Sequence, residues 1–562
     1  MTMNTSKFFM IILTLSVLLI SCDESSWLKE EPLDFYSPDN SYQTSAQFQQ
    51  AENNLYNNLR KIIFHNTKDM GYCHLLQVGS DMYMWGWQGQ TFDNYSAYVV
   101  PTLSYVYDFW KVNYQNVVNA NEILYRLEQK NDVSIEEKNV FRGEALFFRA
   151  MAYRYLGHVF GGVPLELEHR TIPRKDYVRA TREQVYEQCR ADLEEAITLL
   201  PDISGAEDGK VTKQAAQHLI SEIYISLGKY AEAISAATEV INHSSMALMK
   251  ERFGVRKDEP YDVYWDLFRN GNINRSSGNT EAILVMQYEY NNSGSPDPDF
   301  RMANFLPQYR SVQVEAIDGN GTVAAFSPQI TAEKGGRGQG GLAMTSYLEN
   351  KLWESDWDND IRNADYNIIR DVLIDNPKAK GFGEYLVKDG WLREQDGIMN
   401  FFPIMWKVTG NFPEAVYKTG SFSAFGEHEL INSGSSSQVS YRDEYCFRLA
   451  ETYLLRAEAY LNNGDKAKAT ADVNIIRNRA HATPISEAEV SIDYILDERA
   501  RELATEEYRN LTLMRLGKLV ERSQKYNPNG HLMGDWQNLW PIPYSEIERN
   551  VEAVLEQNPG YH

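Results

Sequence analysis

The sequence predicts a mainly α-helical fold, built from tetratricopeptide-like helical hairpins that carry long irregular loop insertions. Three observations point to it. Apolar residues recur at helical spacing over long segments, two tight turns join neighbouring helical segments, and residues 270–440 lack such a period. The hairpins do not recur at a fixed interval, so a regular solenoid is not expected.

The first helices follow from apolar spacing and from a capping signal. Helical periodicity covers residues 44–64 and returns over residues 105–127. Ser134 and Glu137 then have the spacing of a capping box, which satisfies the exposed amides at the start of a helix. We expect that helix to reach Leu156, after which glycines and a proline follow.

Further helices pair into hairpins. Thr181 and Gln184 form a second capping box, and residues 212–227 carry apolar side chains at core spacing. Residues 228–233 read Gly-Lys-Tyr-Ala-Glu-Ala, a tight interhelical turn in which small and aromatic side chains wedge into the preceding helix. Residues 464–469 predict a comparable turn, so both halves of the chain contain helical hairpins.

The domain organisation predicted from these patterns is one helical body with a loop-rich middle. Long stretches of Gly, Asn, Ser and Asp enclose short apolar runs there, and such loops often carry function. The expected boundaries are a signal peptide at 1–21, a tether at 22–43 and a single body at 44–562, divided into 44–240, a loop-rich insertion at about 270–440 and 441–562.

The amino-acid composition limits the class of partner that the chain is expected to bind. The formal net charge is -23, which argues against nucleic acid because phosphate binding needs Lys and Arg to displace counterions. Cys73, Cys189 and Cys446 are widely separated, so no disulfide framework or structural zinc site is expected. An uncharged ligand or a protein partner suits this chain better.

The amino terminus has the pattern of a bacterial lipoprotein signal. The apolar run Phe8–Ile20 is shorter than the roughly 20 residues of a spanning helix, and Ser21 precedes Cys22, whose thiol would accept a diacylglyceryl group. Asp23 and Glu24 follow directly. We therefore expect an exported protein that is anchored by lipid at Cys22, with an ordinary cleaved signal as the alternative.

An aromatic segment at residues 81–90 is the leading candidate for ligand contact. It places large rings among glycines and amides in a predicted loop, which suits a sugar because rings stack on C–H faces and amides bind hydroxyls. The alternative is that the tryptophans anchor the loop to the helical body. The predicted ligand-binding residues are Tyr83, Trp85, Trp87, Asn94, Tyr95 and Tyr309. Tyr98, Phe305, Trp353 and Trp357 are secondary candidates.

Several ordered motifs resemble the SusD/RagB family of outer-membrane nutrient-binding lipoproteins. They run from the lipoprotein signal to the last residues. The matching stretches are Glu144–Ala150 with Gly161–Leu165, Arg448–Glu451, Arg456–Tyr460, Val473–Ala480, Glu498–Arg499 with Glu502, Arg509 and Arg515, Trp540–Pro543 and Gln557–Tyr561. Asp360–Arg362 resembles a structural Asp-x-Arg element of the family. Glu507, Asn510 and Thr512 depart from the family pattern.

The resemblance implies a SusD-like fold and a place on the outer face of the outer membrane. Members act there as a lid over a TonB-dependent, SusC-like transporter, capturing oligosaccharides, or peptides in some branches, and delivering them for import. The acidic residues after Cys22 are similar to the family's surface-export signal. Composition and spacing by themselves indicate only an exported helical protein.

Signatures of catalysis and of metal binding are missing from the sequence. It contains neither an H-E-x-x-H pair nor a G-x-S-x-G elbow, and the alternating acids Asp356, Asp358 and Asp360 lack the rest of a calcium loop. We expect no enzyme activity and no cofactor. A peptide-binding relative, a protein-interaction scaffold and a helical glycosidase remain as alternatives.

Overall fold

The computed structural model describes residues 41–64, 71–87, 93–290, 292, 301–393, 397–409, 412–431 and 437–562. The predicted signal peptide, Cys22 and most of the tether lie outside these residues. Within the described residues, no helix is both long and apolar enough to cross a membrane.

The predicted mainly α-helical fold is confirmed, with few short strands. The helices are α1 Ser45–Phe64, α2 Gly71–Leu75, α3 Tyr95–Tyr98, α4 Ser104–Leu127, α5 Ile135–Phe160, α6 Arg182–Leu199, α7 Lys213–Ser226, α8 Tyr230–Ile241, α9 Val263–Asp266, α10 Arg301–Asn304, α11 Ser346–Glu349, α12 Gly397–Asn400, α13 Leu449–Asn462, α14 Lys466–Arg479, α15 Ile492–Leu503, α16 Arg509–Arg515, α17 Leu519–Tyr526 and α18 Tyr544–Arg549.

Both predicted capping boxes are present, at the starts of α5 and α6. Helix α5, however, continues four residues beyond the predicted Leu156, to Phe160. Gly157 lies within the helix and does not end it. Its lack of a side chain allows close packing against α6, since a Cβ at this position would lie 2.8 Å from a ring carbon of Tyr186. The helix ends at Gly161, whose φ of 76° suits glycine.

Helical hairpins occur where the two turns predicted them. Gly228 ends the first helix of the pair α7–α8 and Gly464 that of α13–α14, both with positive φ. Ala233 of α8 packs in one apolar cluster with Leu455 and Ala459 of α13. Hairpins from the two halves of the chain therefore contact each other.

The loop-rich middle contributes most of the strands, each two to six residues long. Every described sheet is an antiparallel pair. The pairs are β1 Tyr83–Trp85 with β5 Leu342–Met344, β2 Ala282–Met286 with β10 Glu444–Arg448, β3 Gln313–Glu315 with β4 Thr322–Ala324, β6 Ile368–Ile369 with β7 Ile404–Met405, and β8 Tyr417–Phe422 with β9 His428–Leu430.

The largest apolar core draws on residues from Phe48 near one end to Leu555 near the other. The insertion has small cores of its own, one around Tyr309 and Phe326 and another around Leu306. The predicted domain boundaries stay a prediction.

Candidate functional site

The aromatic segment that the sequence singled out is fixed by a buried ion cluster. Asp81 is fully buried and accepts hydrogen bonds from Arg509 at 2.9 and 2.8 Å and from Arg522 at 2.6 Å. Burial acts to raise the pKa of Asp81, but the two guanidinium groups outweigh it and lower that pKa. The carboxylate therefore stays charged and ties the segment to α16 and α17.

Two amide side chains, Asn510 of α16 and Asn527 at the end of α17, hold the backbone around the turn before β1. Asn510 donates to the carbonyls of Leu75 and Val78 at 2.7 and 3.0 Å. Asn527 donates to the carbonyls of Ser80 and Tyr83 at 2.6 and 3.0 Å. Asn510 is one of the residues that depart from the family pattern, and its role here is to satisfy buried backbone carbonyls.

Tyr83 and Trp85 lie in a strand, not in the predicted loop. They pair with Met344 and Leu342 across the β1–β5 ladder, and their side chains are 0% and 4% exposed. Tyr83 packs edge-on against Phe305, at 5.2 Å between ring centroids. Neither ring has a face open to a sugar in this conformation, so the anchoring alternative describes both residues better.

Tyr95 and Tyr309 are also buried. The hydroxyl of Tyr95 accepts a hydrogen bond from the Trp540 indole at 2.9 Å. Tyr309 donates to the Gly336 carbonyl at 2.5 Å and packs within a separate core of the insertion. Both tyrosine hydroxyls, which were predicted to face a ligand, are therefore engaged within the protein.

Trp87 and Asn94 are the partly exposed members of the predicted set. The Trp87 indole donates to the Gln339 carbonyl at 2.9 Å, and Gln308 donates to the same oxygen at 2.8 Å. We call Trp87, Gln308 and Gln339 the junction, because they join the amino-terminal part to the insertion. Asn94 accepts from the Ala97 amide at 3.1 Å and caps α3.

The secondary candidates also divide into buried and exposed residues. Phe305 and Trp353 are 5% and 1% exposed, whereas Trp357 is 42% exposed and lies under the Arg370 guanidinium. Asp360 pairs with the fully buried Arg362 at 2.7 Å. The Asp-x-Arg element is thus part of the buried ionic framework.

A second aromatic surface, outside the predicted site residues, lies along α4. Tyr107, Trp110 and Tyr114 share one face of this helix at spacings of three and four residues, and Tyr177 faces them from the segment after α5. Together they line a cavity of about 390 Å³. We call it the helix groove.

Polar side chains complete the helix groove. Gln115 and Asn119 continue the lining along α4, Lys111 is exposed beside them, and the carboxylates of Glu166 and Glu546 lie on the other walls. Burial first, and then the charge of Glu166, raise the pKa of Tyr177, so its hydroxyl stays protonated. Rings, amides and carboxylates are the groups that bind sugar hydroxyls and C–H faces.

The sequence did carry a faint signal for this groove. The helical period of residues 105–127 places aromatic and amide side chains beside the buried stripe that contains Val106, Phe109 and Val117, and Trp110 belongs to that stripe. An aromatic stripe at that spacing is usually core, so the spacing alone does not predict a ligand site.

Comparisons with protein families match both ends of the chain. A family model described as "Starch-binding associating with outer membrane" matches residues 32–225, and one described as "SusD family" matches residues 409–561. The two matches lie on either side of the loop-rich middle and together cover most of the chain.

Individual relatives extend the similarity over nearly the whole length. A "SusD-like protein P2" of Formosa agariphila is 26% identical and covers 98% of this chain and 99% of its own. The "Starch-binding protein SusD" of Bacteroides thetaiotaomicron is 24% identical, with 86% and 84% covered.

Solved structures share the fold. A "Laminarin binding SusD-like protein" has a TM-score of 0.64 at 23% identity, over 92% of this chain and 100% of that one. A surface glycan-binding protein A from Bacteroides uniformis has a TM-score of 0.63 at 19% identity, over 92% and 99%.

Proposed function

Because the chain belongs to the SusD family, we propose that it is a non-catalytic lipoprotein of the outer membrane that binds oligosaccharides or polysaccharide and delivers them to a partner TonB-dependent transporter for import. In this proposal Cys22 carries the lipid, and the protein faces the cell exterior. The observation that carries it is the match of family models to both ends of one chain, in the expected order.

Neutral glucans are the first ligands to try. The names of two relatives state that one binds starch and another laminarin, and both polymers are uncharged. An uncharged ligand also suits a chain with a net charge of -23, because an anionic polymer would be repelled.

The junction is the proposed contact within the aromatic segment. Trp87 is partly exposed and packs edge-on against buried Trp85, with 5.5 Å between ring centroids, so its ring is held in place before a ligand arrives. Tyr83, Trp85, Tyr95 and Tyr309 would act behind it as supports.

Affinity electrophoresis in soluble starch and in laminarin tests this function. We expect the mature protein to be retarded in at least one gel, and Trp87→Ala to migrate faster there than wild type. Trp536→Ala is the matched control, since it removes a 45% exposed tryptophan that is not among the candidate residues, and it should leave the retardation unchanged.

Absence of retardation in every neutral glycan, combined with thermal stabilisation by extended peptides, would reject the glycan proposal in favour of peptide cargo. Steady release of short sugars from either polymer would reject the non-catalytic part. Equal loss in Trp87→Ala and Trp536→Ala would reject the junction as the contact.

A further inference from the structure

We infer that the helix groove is a second sugar-binding site, distinct from the junction, which takes an uncharged sugar unit. The inference rests on the proposed function in one respect: the ligand is of the same class. It adds a place on the helical body that neither the family matches nor the sequence motifs assign.

The dimensions of the helix groove suit a small polar ligand. Its volume of about 390 Å³ falls within the range of roughly 300–1,000 Å³ that is common for ligand sites. Tyr107, Tyr114 and Tyr177 are each partly exposed, and Trp110 lies behind Tyr114 with 4.9 Å between ring centroids. Lys111 and Arg549 lie over the Tyr107 ring, and Arg174 lies over the Tyr177 ring. A pyranose would pack its C–H faces against the parts of these rings that remain open.

The walls of the groove are fixed without a ligand. Tyr114 donates its hydroxyl proton to the Pro164 carbonyl at 2.6 Å, and Asn121 donates to the Glu166 carbonyl at 2.9 Å. The Asn550 side chain bonds both backbone groups of Tyr177, at 2.7 and 2.8 Å. A ligand would therefore lose little affinity to ordering of the site.

One buried oxygen in the groove needs a donor. Glu166 is 6% exposed, and its Oε1 accepts from Arg170 Nε at 2.6 Å. Among the residues that the structure describes, none makes a well-aligned hydrogen bond to its other oxygen, Oε2, and the Tyr177 hydroxyl is the groove side chain that interacts with this carboxylate. A buried acceptor without a partner costs free energy, and a sugar hydroxyl that donates to Oε2 would remove that cost.

The charges around Glu166 select an uncharged ligand. Arg170 already offsets the carboxylate, so the ligand has to bring a donor and not a positive charge. Glu546 forms the opposite acidic wall and is paired with Arg549 at 3.0 Å. Lys111 and Arg549, which lie over the Tyr107 ring, balance these carboxylates, so the groove has no excess charge that would favour a charged sugar over a neutral one.

Exposed aliphatic side chains near the groove make a protein partner the competing occupant. Val118 is 54% exposed within the lining, and Val178, Val551 and Val554, each adjacent to a lining residue or within a few residues of one, are 68%, 71% and 76% exposed. The sugar ligand accounts better for the amides and for the unmet acceptor, which an aliphatic surface would leave unsatisfied.

Isothermal titration of the full mature chain with maltoheptaose and with laminarihexaose tests the second site. We expect two equivalents of the bound sugar in the wild type. Tyr107→Ala and Glu166→Gln should each weaken one equivalent at least tenfold, while Trp87→Ala weakens the other. Tyr125→Ala, which removes a 43% exposed tyrosine from the same helix, should change neither.

The outcomes separate the two proposals. One equivalent that Trp87→Ala removes and both groove variants leave intact would overturn the second site while the proposed function stands. Absence of heat with every glycan would reject the proposed function as well. Glu166→Gln keeps the side-chain shape, and Tyr107→Ala changes a partly exposed ring, so melting temperatures near wild type for either variant make its binding result decisive.

A protein occupant would give a different pattern. Unchanged sugar binding in both groove variants, with loss of a co-purifying barrel transporter in Val118→Ser and Val178→Ser, would assign the groove to that protein and overturn the sugar inference.

Discussion

The aromatic segment around β1 and the helix groove on α4 are both rich in rings and amides, yet their rings have opposite environments. Around β1, strand β5 covers one side and the helices α16 and α17 clamp the preceding turn through Asp81. Along α4, the tyrosines of the groove are partly exposed to its open space, and only Trp110 behind them is buried. Aromatic density in the sequence therefore marks a candidate surface, while distant segments decide whether the rings remain available.

Of the substitutions that test this contrast, replacement of Asp81 is expected to change the free energy of unfolding most. Asp81→Ala leaves Arg509 and Arg522 buried without their shared carboxylate, and loss of one partner of a buried ion pair costs about 3–5 kcal/mol. Urea unfolding of the variant should show that loss. The exposed Asp358→Ala is the control and should change the free energy of unfolding by less than about 0.5 kcal/mol.

If the clamp explains the burial around β1, Asp81→Ala should also weaken glycan binding at the junction and leave binding in the helix groove unchanged below the unfolding transition. A variant as stable as wild type would contradict the role given to this ion cluster.

Acidification should weaken the ionic framework that holds the carboxyl-terminal helices. Burial acts to raise the pKa of Glu498, but Arg362, Arg501 and Arg477 outweigh it and lower the pKa to about 2. Glu451 is lowered to about 2 as well, mainly by Arg499 against the effect of burial. Both values lie below the roughly 4.3 of an unfolded glutamate.

The direction of this pH effect follows from the linkage between proton binding and folding. A carboxylate with a depressed folded-state pKa contributes stability that is complete above the unfolded value and is lost as the pH falls through the folded value. Urea unfolding at pH 7, 5, 3 and 2 should show little change between the first two and a loss on the order of 2–3 kcal/mol per such group at pH 2, with more than half of it already present at pH 3. A free energy of unfolding that is constant from pH 5 to 3 would show that these groups do not act this way.

Much of the fold could be predicted because its signals are local. Capping boxes at Ser134 and Thr181 and turn glycines at Gly228 and Gly464 depend on neighbours within a few residues. The predicted end of α5 at Leu156 was four residues too early. Gly157 packs against Tyr186 of another helix, and a contact between helices cannot be predicted from neighbouring residues alone.

The candidate site could be predicted only in part, for the same reason. Tyr95 is buried by Trp540 and the turn before β1 by Asn510 and Asn527, all more than 400 residues away. The groove combines a face of α4 with Tyr177 and Glu546, so its rings could not be told from core rings by spacing alone.

Gly86 allows the smallest test of the contrast, because it alters the support of Trp87 without removing any side chain. A Cβ at Gly86 would lie 1.9 Å from the Gly340 carbonyl oxygen, and that oxygen belongs to backbone that cannot rotate away. Gly86→Ala should therefore cost about 1–3 kcal/mol through overpacking and displace the strand end that carries Trp87. Gly205→Ala is the matched control, since its Cβ meets nothing within 4 Å. We expect Gly86→Ala to weaken sugar binding at the junction while the helix groove keeps its equivalent in the titration. Equal weakening of both equivalents would mean that the two surfaces are coupled and that the separation argued from their different neighbours is wrong.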